Sequence, residues 1–148
     1  MLERFEIFSQ SVSSIYRYIQ KIEREEMERF GLKGAYAQLL VVMATRKDGV
    51  TSAELSRLCE LNRSAVSRCI GEMEALGLVL KSGKSYYRAR LSLSPRGEEI
   101  ASFAMERARQ AVMEIGGELS DSERQCFYDV LERISKKLEK LSKDGFPD

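Results

Sequence analysis

The sequence contains no histidine among its 148 residues. Histidine is the commonest general base near neutral pH and the commonest metal ligand, so hydrolase triads built on histidine and zinc sites that depend on it are excluded. The remaining residues contain no nucleophile–base pair, phosphate-binding loop or metal-ligand constellation. The sequence therefore predicts a protein that is not an enzyme and that uses no metal or cofactor.

Cysteine is scarce, with only Cys59, Cys69 and Cys126, and no two of them have the CxxC spacing. An odd number without that spacing argues against a disulfide framework and favours a reducing compartment. A reactive thiol needs exposure and a nearby cation or helix N-terminus to lower its pKa. We therefore expect all three side chains to pack against apolar neighbours rather than to sense oxidants.

Long hydrophobic runs are also lacking. The longest one, Leu39–Ala44, is far shorter than the roughly 20 residues that cross a bilayer. The first residues, MLERFEIF, place acids where a signal peptide needs a basic stretch followed by an apolar core. The sequence therefore predicts a cytoplasmic protein that has no membrane partner.

Charge is unevenly distributed along the chain. Residues 46–96 hold ten Lys and Arg residues against five Asp and Glu residues, a net charge of +5. The rest of the chain holds 14 basic and 18 acidic residues, a net charge of −4. A basic centre between acidic arms indicates a centre that meets a polyanion, although chance clustering would produce the same total.

Apolar residues in the first thirty positions recur at alternating steps of three and four. This heptad pattern is typical of a helix that packs lengthwise on other helices. At about 1.5 Å per residue, the helix is roughly 40 Å long, which is more than one small domain covers. Part of the stripe therefore needs a partner; its members are Phe5, Phe8, Val12, Ile15, Ile19 and Ile22.

Start and stop signals divide the remainder into further elements. Capping boxes, Thr51 with Glu54 and Ser120 with Glu123, each begin a helix, and Asn62 caps another that ends at Gly77. The fold class is therefore mostly α with a small β-hairpin wing. We expect helices at about 35–46, 52–59, 63–76, 95–115 and after Ser120, and strands at 78–81 and 86–93.

Two helices joined at a tight corner and followed by a hairpin describe a winged helix-turn-helix. In that unit the second helix enters the major groove of DNA, so its outward face must be small, polar and cationic. The alternative is an ordinary amphipathic surface helix with solvated arginines. The inward residues are Val66, Ile70, Met73 and Leu76, and the expected DNA-binding residues are Ser52, Asn62, Arg63, Ser64, Ser67 and Arg68.

The chain resembles the MarR (multiple antibiotic resistance regulator) family of transcription factors over nearly its whole length. The resemblance is carried by five segments: TSAELSRL at 51–58, NRSAVSR at 62–68, EALGLV at 74–79, LSLSPRG at 91–97 and LSDSER at 119–124. It implies an obligate homodimer in which residues 1–33 and 95–148 form the helical dimerisation region. Residues 34–94 would form the winged helix-turn-helix.

The resemblance also implies a transcriptional regulator, a repressor, that reads double-stranded DNA. By two-fold symmetry, the paired 63–76 helices should meet successive major grooves about 34–36 Å apart on a pseudo-palindromic operator. A winged helix that has lost DNA readout and serves as a protein-docking module is the alternative function. The basic central charge argues against it, because a docking face is expected to be apolar.

The wing departs from the family pattern. Most members carry an Asp-Arg pair there, with the arginine in the minor groove, whereas this sequence reads SGKSYYR at 82–88 without an acid. Either Lys84 or Arg88 takes the minor-groove role, or the wing contacts only phosphate. DNA binding itself is expected in each case.

Family members often bind small anionic aromatic effectors between the dimer helices and the winged unit, and so change their DNA affinity. Nothing in the sequence has the spacing of a specific ligand motif. The alternative for every candidate position is core or rim packing. The candidate effector-binding residues are Tyr16, Arg17, Tyr36, Met43 and Phe103.

Overall fold

The computed structural model describes residues 2–83 and 89–145. Their order of elements confirms the predicted fold class, with four helices, an antiparallel hairpin and two long helices. The elements are α1 (Leu2–Glu28), α2 (Tyr36–Ala44), α3 (Ser52–Leu58), α4 (Arg63–Ala75), β1 (Val79–Ser82), β2 (Arg90–Leu93), α5 (Pro95–Gly116) and α6 (Asp121–Asp144).

The chain divides into two compact units, residues 1–107 and 108–148. The boundary falls within α5, so it differs from the division into a dimerisation region and a DNA-binding region. That division concerns roles in an assembly and stays a prediction.

The first unit holds a continuous apolar core. Leu39 and Leu40 from α2 and Leu55 from α3 are completely buried, and α4 adds Val66 and Met73. Full burial of each such side chain contributes about 1.5–3 kcal/mol to the stability of the fold. The core therefore fixes α3 and α4 against α2.

The hairpin pairs Val79 with Leu93 and Ser82 with Arg90. Leu91 and Leu93 are buried whereas Arg90 is exposed, so one face of β2 packs on the core and the other faces solvent. Val50 pairs with Leu91 through hydrogen bonds of 3.0 and 2.8 Å between their backbones. This bridge was not predicted, and it joins the loop before α3 to β2.

Two long helices expose apolar side chains. The α1 stripe members Phe5, Val12 and Ile15 are 65%, 43% and 54% exposed. In the second unit α6 has no buried residue, and its Phe127 and Leu131 are half exposed. Each helix therefore has an apolar face that its own unit leaves uncovered. No helix in the described ranges is both long enough and apolar enough to cross a membrane.

Candidate nucleic-acid interface

The corner between α3 and α4 is built by local hydrogen bonds. The Thr51 hydroxyl accepts from the Glu54 amide at 3.2 Å, and the Glu54 carboxylate accepts from the Thr51 amide at 2.7 Å. This confirms the predicted capping box at the start of α3. At the other end, Ser56 Oγ donates to the Leu61 carbonyl at 2.5 Å, and Glu60 turns the chain with a φ of 53°.

Asn62 begins α4 as predicted. Its Oδ1 accepts from the Ala65 amide at 2.7 Å and from the Ser64 hydroxyl at 2.9 Å. The side-chain oxygen is thus occupied by the cap, and the amide nitrogen is the group left to donate to a ligand. Gly77 follows the C-cap of the helix and has a φ of 71°, in the left-handed region expected after a C-terminus.

The two faces of α4 differ sharply. Val66, Ile70 and Met73 are buried, whereas Arg63 and Arg68 are exposed. Within the residues that the structure describes, neither arginine forms an ion pair. The first turn of α4 carries no acid, so the face is cationic where a phosphate or base edge would meet it.

One member of the predicted inward face lies elsewhere. Leu76 is 44% exposed, because α4 ends at Ala75 and Leu76 serves as its C-cap. The prediction that it packs inward was wrong, since the apolar period continued one residue past the last helical turn.

Ser52 and Ser67 come together beside β1. They line one small crevice of about 40 Å³ with Lys81. The sequence prediction did not include Lys81, because strand spacing places it on the same face as the buried Val79, although it is exposed in β1. Lys84 and Arg88 lie outside the described residues, so the minor-groove role of the wing stays a prediction.

The five candidate effector residues lie in different surroundings. Tyr16 and Arg17 are exposed on a groove formed by α1 alone. Tyr36 and Met43 belong to the buried core, and Phe103 stacks edge-on against Phe30 with ring centroids 5.1 Å apart. The effector site stays a prediction from the family resemblance.

Two cysteines lie in the core of the first unit. Burial raises the pKa of the Cys59 thiol, and burial together with the negative charge of Glu72 raises that of Cys69. Both thiols therefore have the properties of packing residues. Cys126 differs from the expectation, because it is exposed on α6. Residues 2–83 and 89–145 contain no group of three acidic or cysteine side chains placed to hold a metal ion.

Part of the chain matches the model of a known protein family. The model of the MarR family matches residues 30–84, which span α2 to the end of β1. A search of curated proteins found no match.

Solved structures match over most of the chain. A putative MarR family transcriptional regulator from Listeria monocytogenes, complexed with 26mer DNA, has a TM-score of 0.80 at 17% identity and covers 94% of this chain and 95% of its own. S. aureus MepR in a DNA complex has a TM-score of 0.80 at 14% identity, with coverages of 88% and 97%. A MarR family regulator from Silicibacter pomeroyi has a TM-score of 0.71 at 24% identity, with coverages of 83% and 84%.

These findings confirm the resemblance to the MarR family that the sequence predicted. The family model supports it from α2 to β1, and the solved structures extend the shared fold over nearly the whole chain. The family is one of transcriptional regulators rather than enzymes.

Proposed function

We propose that this MarR-like chain is a sequence-specific DNA-binding transcriptional regulator that acts as a homodimer and inserts α4 into the major groove. The observation that carries the proposal is the outward face of α4. Arg63 and Arg68 stand exposed there and form no ion pair with any residue that the structure describes, on a helix whose other face is buried by the core.

The chemistry of this face fits base and phosphate readout. An arginine guanidinium donates two parallel hydrogen bonds to guanine, and small hydroxyls such as that of Ser67 bond to bases or phosphates without steric conflict. The solved structures of two similar folds contain DNA. Both lines of support point to duplex DNA as the partner.

The homodimer is supported by the uncovered apolar faces. On α1 the stripe is about half exposed, and the same holds for Phe127 and Leu131 on α6. Monomeric proteins rarely leave such long apolar stripes in water. Two copies related by a two-fold axis would present two α4 helices to a pseudo-palindromic operator with half-sites about 34–36 Å apart.

Binding to a selected operator tests the proposal. Genomic fragments retained by the protein supply the cognate duplex, and fluorescence anisotropy measures its affinity. Arg63→Ala or Arg68→Ala should lower cognate affinity by about 1–3 kcal/mol and relax sequence preference at one position. Arg133→Ala on α6 is the matched control, because it removes one exposed arginine outside the winged unit.

The outcomes separate the two functions. Cognate binding that weakens steeply with salt, and that both α4 variants impair, supports DNA readout because phosphate neutralisation releases counterions. Binding by both variants that equals the wild type would refute the recognition role of α4. Affinity for duplex DNA that stays flat with salt would favour the protein-docking alternative. Sedimentation at twice the mass of the chain checks the dimer.

Repression and effector control form the finer part of the proposal. A dimer that occupies an operator within a promoter excludes RNA polymerase, so transcription from that promoter should fall when the protein is added. Salicylate serves as the probe for a small anionic aromatic effector, and it should weaken operator binding. Equal operator affinity with and without a large excess of salicylate would contradict this probe's effector role.

A further inference from the structure

A second cationic surface lies on the opposite side of α3 from the α4 helix. Four basic side chains line a groove of about 540 Å³ between the loop 45–50, α3 and β2. We call this the cationic groove and define it by Arg46, Lys47, Arg57 and Arg90. We propose that it binds the phosphate backbone of the strand that borders the major groove entered by α4. The inference rests on the proposed function and deepens it.

The groove has more cations than acids, and one of its two acids caps a helix. Asp48 and Glu54 are the two carboxylates that line it. Glu54 accepts from the amide and hydroxyl of Thr51 at 2.7 and 3.0 Å, which directs its charge toward the N-terminus of α3. Those hydrogen bonds, with smaller contributions from Arg90 and Arg57, hold the pKa of Glu54 below its usual value.

One of the four basic side chains is held in place by a hydrogen bond to the loop. Arg90 donates from Nη1 to the Gly49 carbonyl at 3.0 Å, which lays its side chain across the loop. Gly49 has a φ of 76°, and a Cβ there would lie 3.3 Å from Arg90 Cβ. The glycine therefore permits both the turn and the close approach of the arginine.

The other three cations form no ion pairs within the described residues. This contrasts with the long helices, where Lys21 pairs with Glu25 and Lys136 with Glu132 at the i,i+4 spacing. Four cations against two carboxylates leave an excess of like charge in the groove, and a polyanion relieves the resulting repulsion. The groove is therefore suited to phosphate rather than to a neutral surface.

The position of the groove matches the path of a DNA strand. The first turn of α3 separates it from α4, since Ser52 shares a crevice with Ser67 on one side while Glu54 and Arg57 line the groove on the other. In helix-turn-helix proteins the first helix crosses the backbone while the second occupies the major groove. Packed helices lie about 8–10 Å apart and the major groove is about 12 Å wide. The side of α3 away from α4 therefore faces the bordering strand.

Salt titrations of a triple variant test the inference. Arg46→Ala, Lys47→Ala and Arg57→Ala combined should weaken cognate and random duplexes by the same factor. The slope of log affinity against log salt should fall by about 0.9 for each phosphate that the variant no longer neutralises. The control combines Arg133→Ala, Lys137→Ala and Lys140→Ala on α6, which removes the same charge from exposed positions outside the groove. Circular dichroism and sedimentation confirm that both variants keep their fold and assembly.

Uncharged methylphosphonates at the phosphates flanking the major-groove site provide a second readout. They should weaken wild-type binding severalfold and leave the affinity of the groove variant unchanged. A groove variant with the wild-type salt slope would overturn the inference, as would a control variant whose slope falls by the same amount. A groove variant with a changed preference between cognate and random DNA would also overturn the inference, because the groove would then contact bases rather than phosphates.

Failure of the inference is distinct from failure of the proposed function. If Arg63→Ala impairs cognate binding while the groove variant binds like the wild type, DNA recognition stands and the groove assignment falls. If the wild-type protein itself binds no duplex in a salt-dependent manner, the proposed function and the inference both fall.

Discussion

The hydroxyl of Tyr36 donates a 2.5 Å hydrogen bond to Glu72 Oε2, and thereby joins the first turn of α2 to α4. Lys33 Nζ donates to the same oxygen at 2.8 Å. Burial, the hydrogen bond and the charge of Glu72 raise the pKa of Tyr36 to about 12. The hydrogen bonds from Lys33 and Tyr36 lower the pKa of Glu72. The helix proposed to enter DNA is thus fixed to the core through a side chain 36 residues away.

Tyr36→Phe removes this hydroxyl and keeps the buried ring. A hydrogen bond to a charged group contributes about 1.5–3 kcal/mol. We expect the lower end of that range, because Lys33 still donates to Glu72. Urea denaturation at fixed protein concentration measures the loss of stability. Tyr18→Phe, on an exposed face of α1, is the control and should leave the midpoint unchanged; equal midpoints for the two variants would contradict the prediction.

Glu72→Gln should alter the pH dependence of stability. Because folding lowers the pKa of Glu72 below 4.5, its contribution is fully present above that value. The contribution is lost as pH falls through the folded pKa, since the folded and unfolded states then bind the same proton. The stability difference between wild type and variant should therefore be constant from about pH 7 to about pH 5 and shrink at lower pH.

Urea denaturation across that pH range provides the measurement for Glu72→Gln. Glu74→Gln is the matched control, because Glu74 lies exposed on the same helix. The difference in stability between Glu74→Gln and the wild type should not change with pH. A difference for Glu72→Gln that persists unchanged to about pH 3 would rule out the lowered pKa as its origin.

Replacement of Gly97 and of Gly71 by alanine should change the stability of the fold in opposite directions. A Cβ at Gly97 would lie 2.2 Å from the Leu78 carbonyl oxygen, whereas one at Gly71 meets nothing within 4 Å. Gly97→Ala forces the backbone of α5 away from the hairpin and should cost about 3 kcal/mol or more. Gly71→Ala should raise stability by about 0.5–1 kcal/mol, because alanine favours the helix more than glycine. Thermal unfolding compares the two variants, and similar midpoints would disprove the close approach at Gly97.

Much of the fold could be read from local patterns. The Thr51 and Ser120 capping boxes form as predicted, because their partners are three residues apart and need no distant contact. Asn62 caps α4, and Gly77 takes the left-handed conformation, for the same reason. The error at Leu76 shows the limit of this approach, since an apolar period does not reveal where a helix ends.

Only part of the candidate interface could be predicted from local sequence patterns. The outward set on α4 followed from helical spacing and the reversal of polarity across Val66 and Ile70. The nearness of Lys81 to Ser52 and Ser67 depends on how the hairpin packs against α3 and α4. Spacing along the chain contains no information about that packing.

The sequence by itself determined the order of elements, the helix starts and the polar face of α4, because each depends on residues within one or two turns. Only the tertiary structure decided that Tyr36 holds Glu72, that Val50 pairs with Leu91 and that Arg90 joins the cations of the 45–57 segment in one groove. The hydrogen bonds of Tyr36 with Glu72 and of Arg90 with Gly49 join residues 36 and 41 positions apart. Such relationships exist because burying the core brings distant segments together, and no periodicity specifies which ones meet.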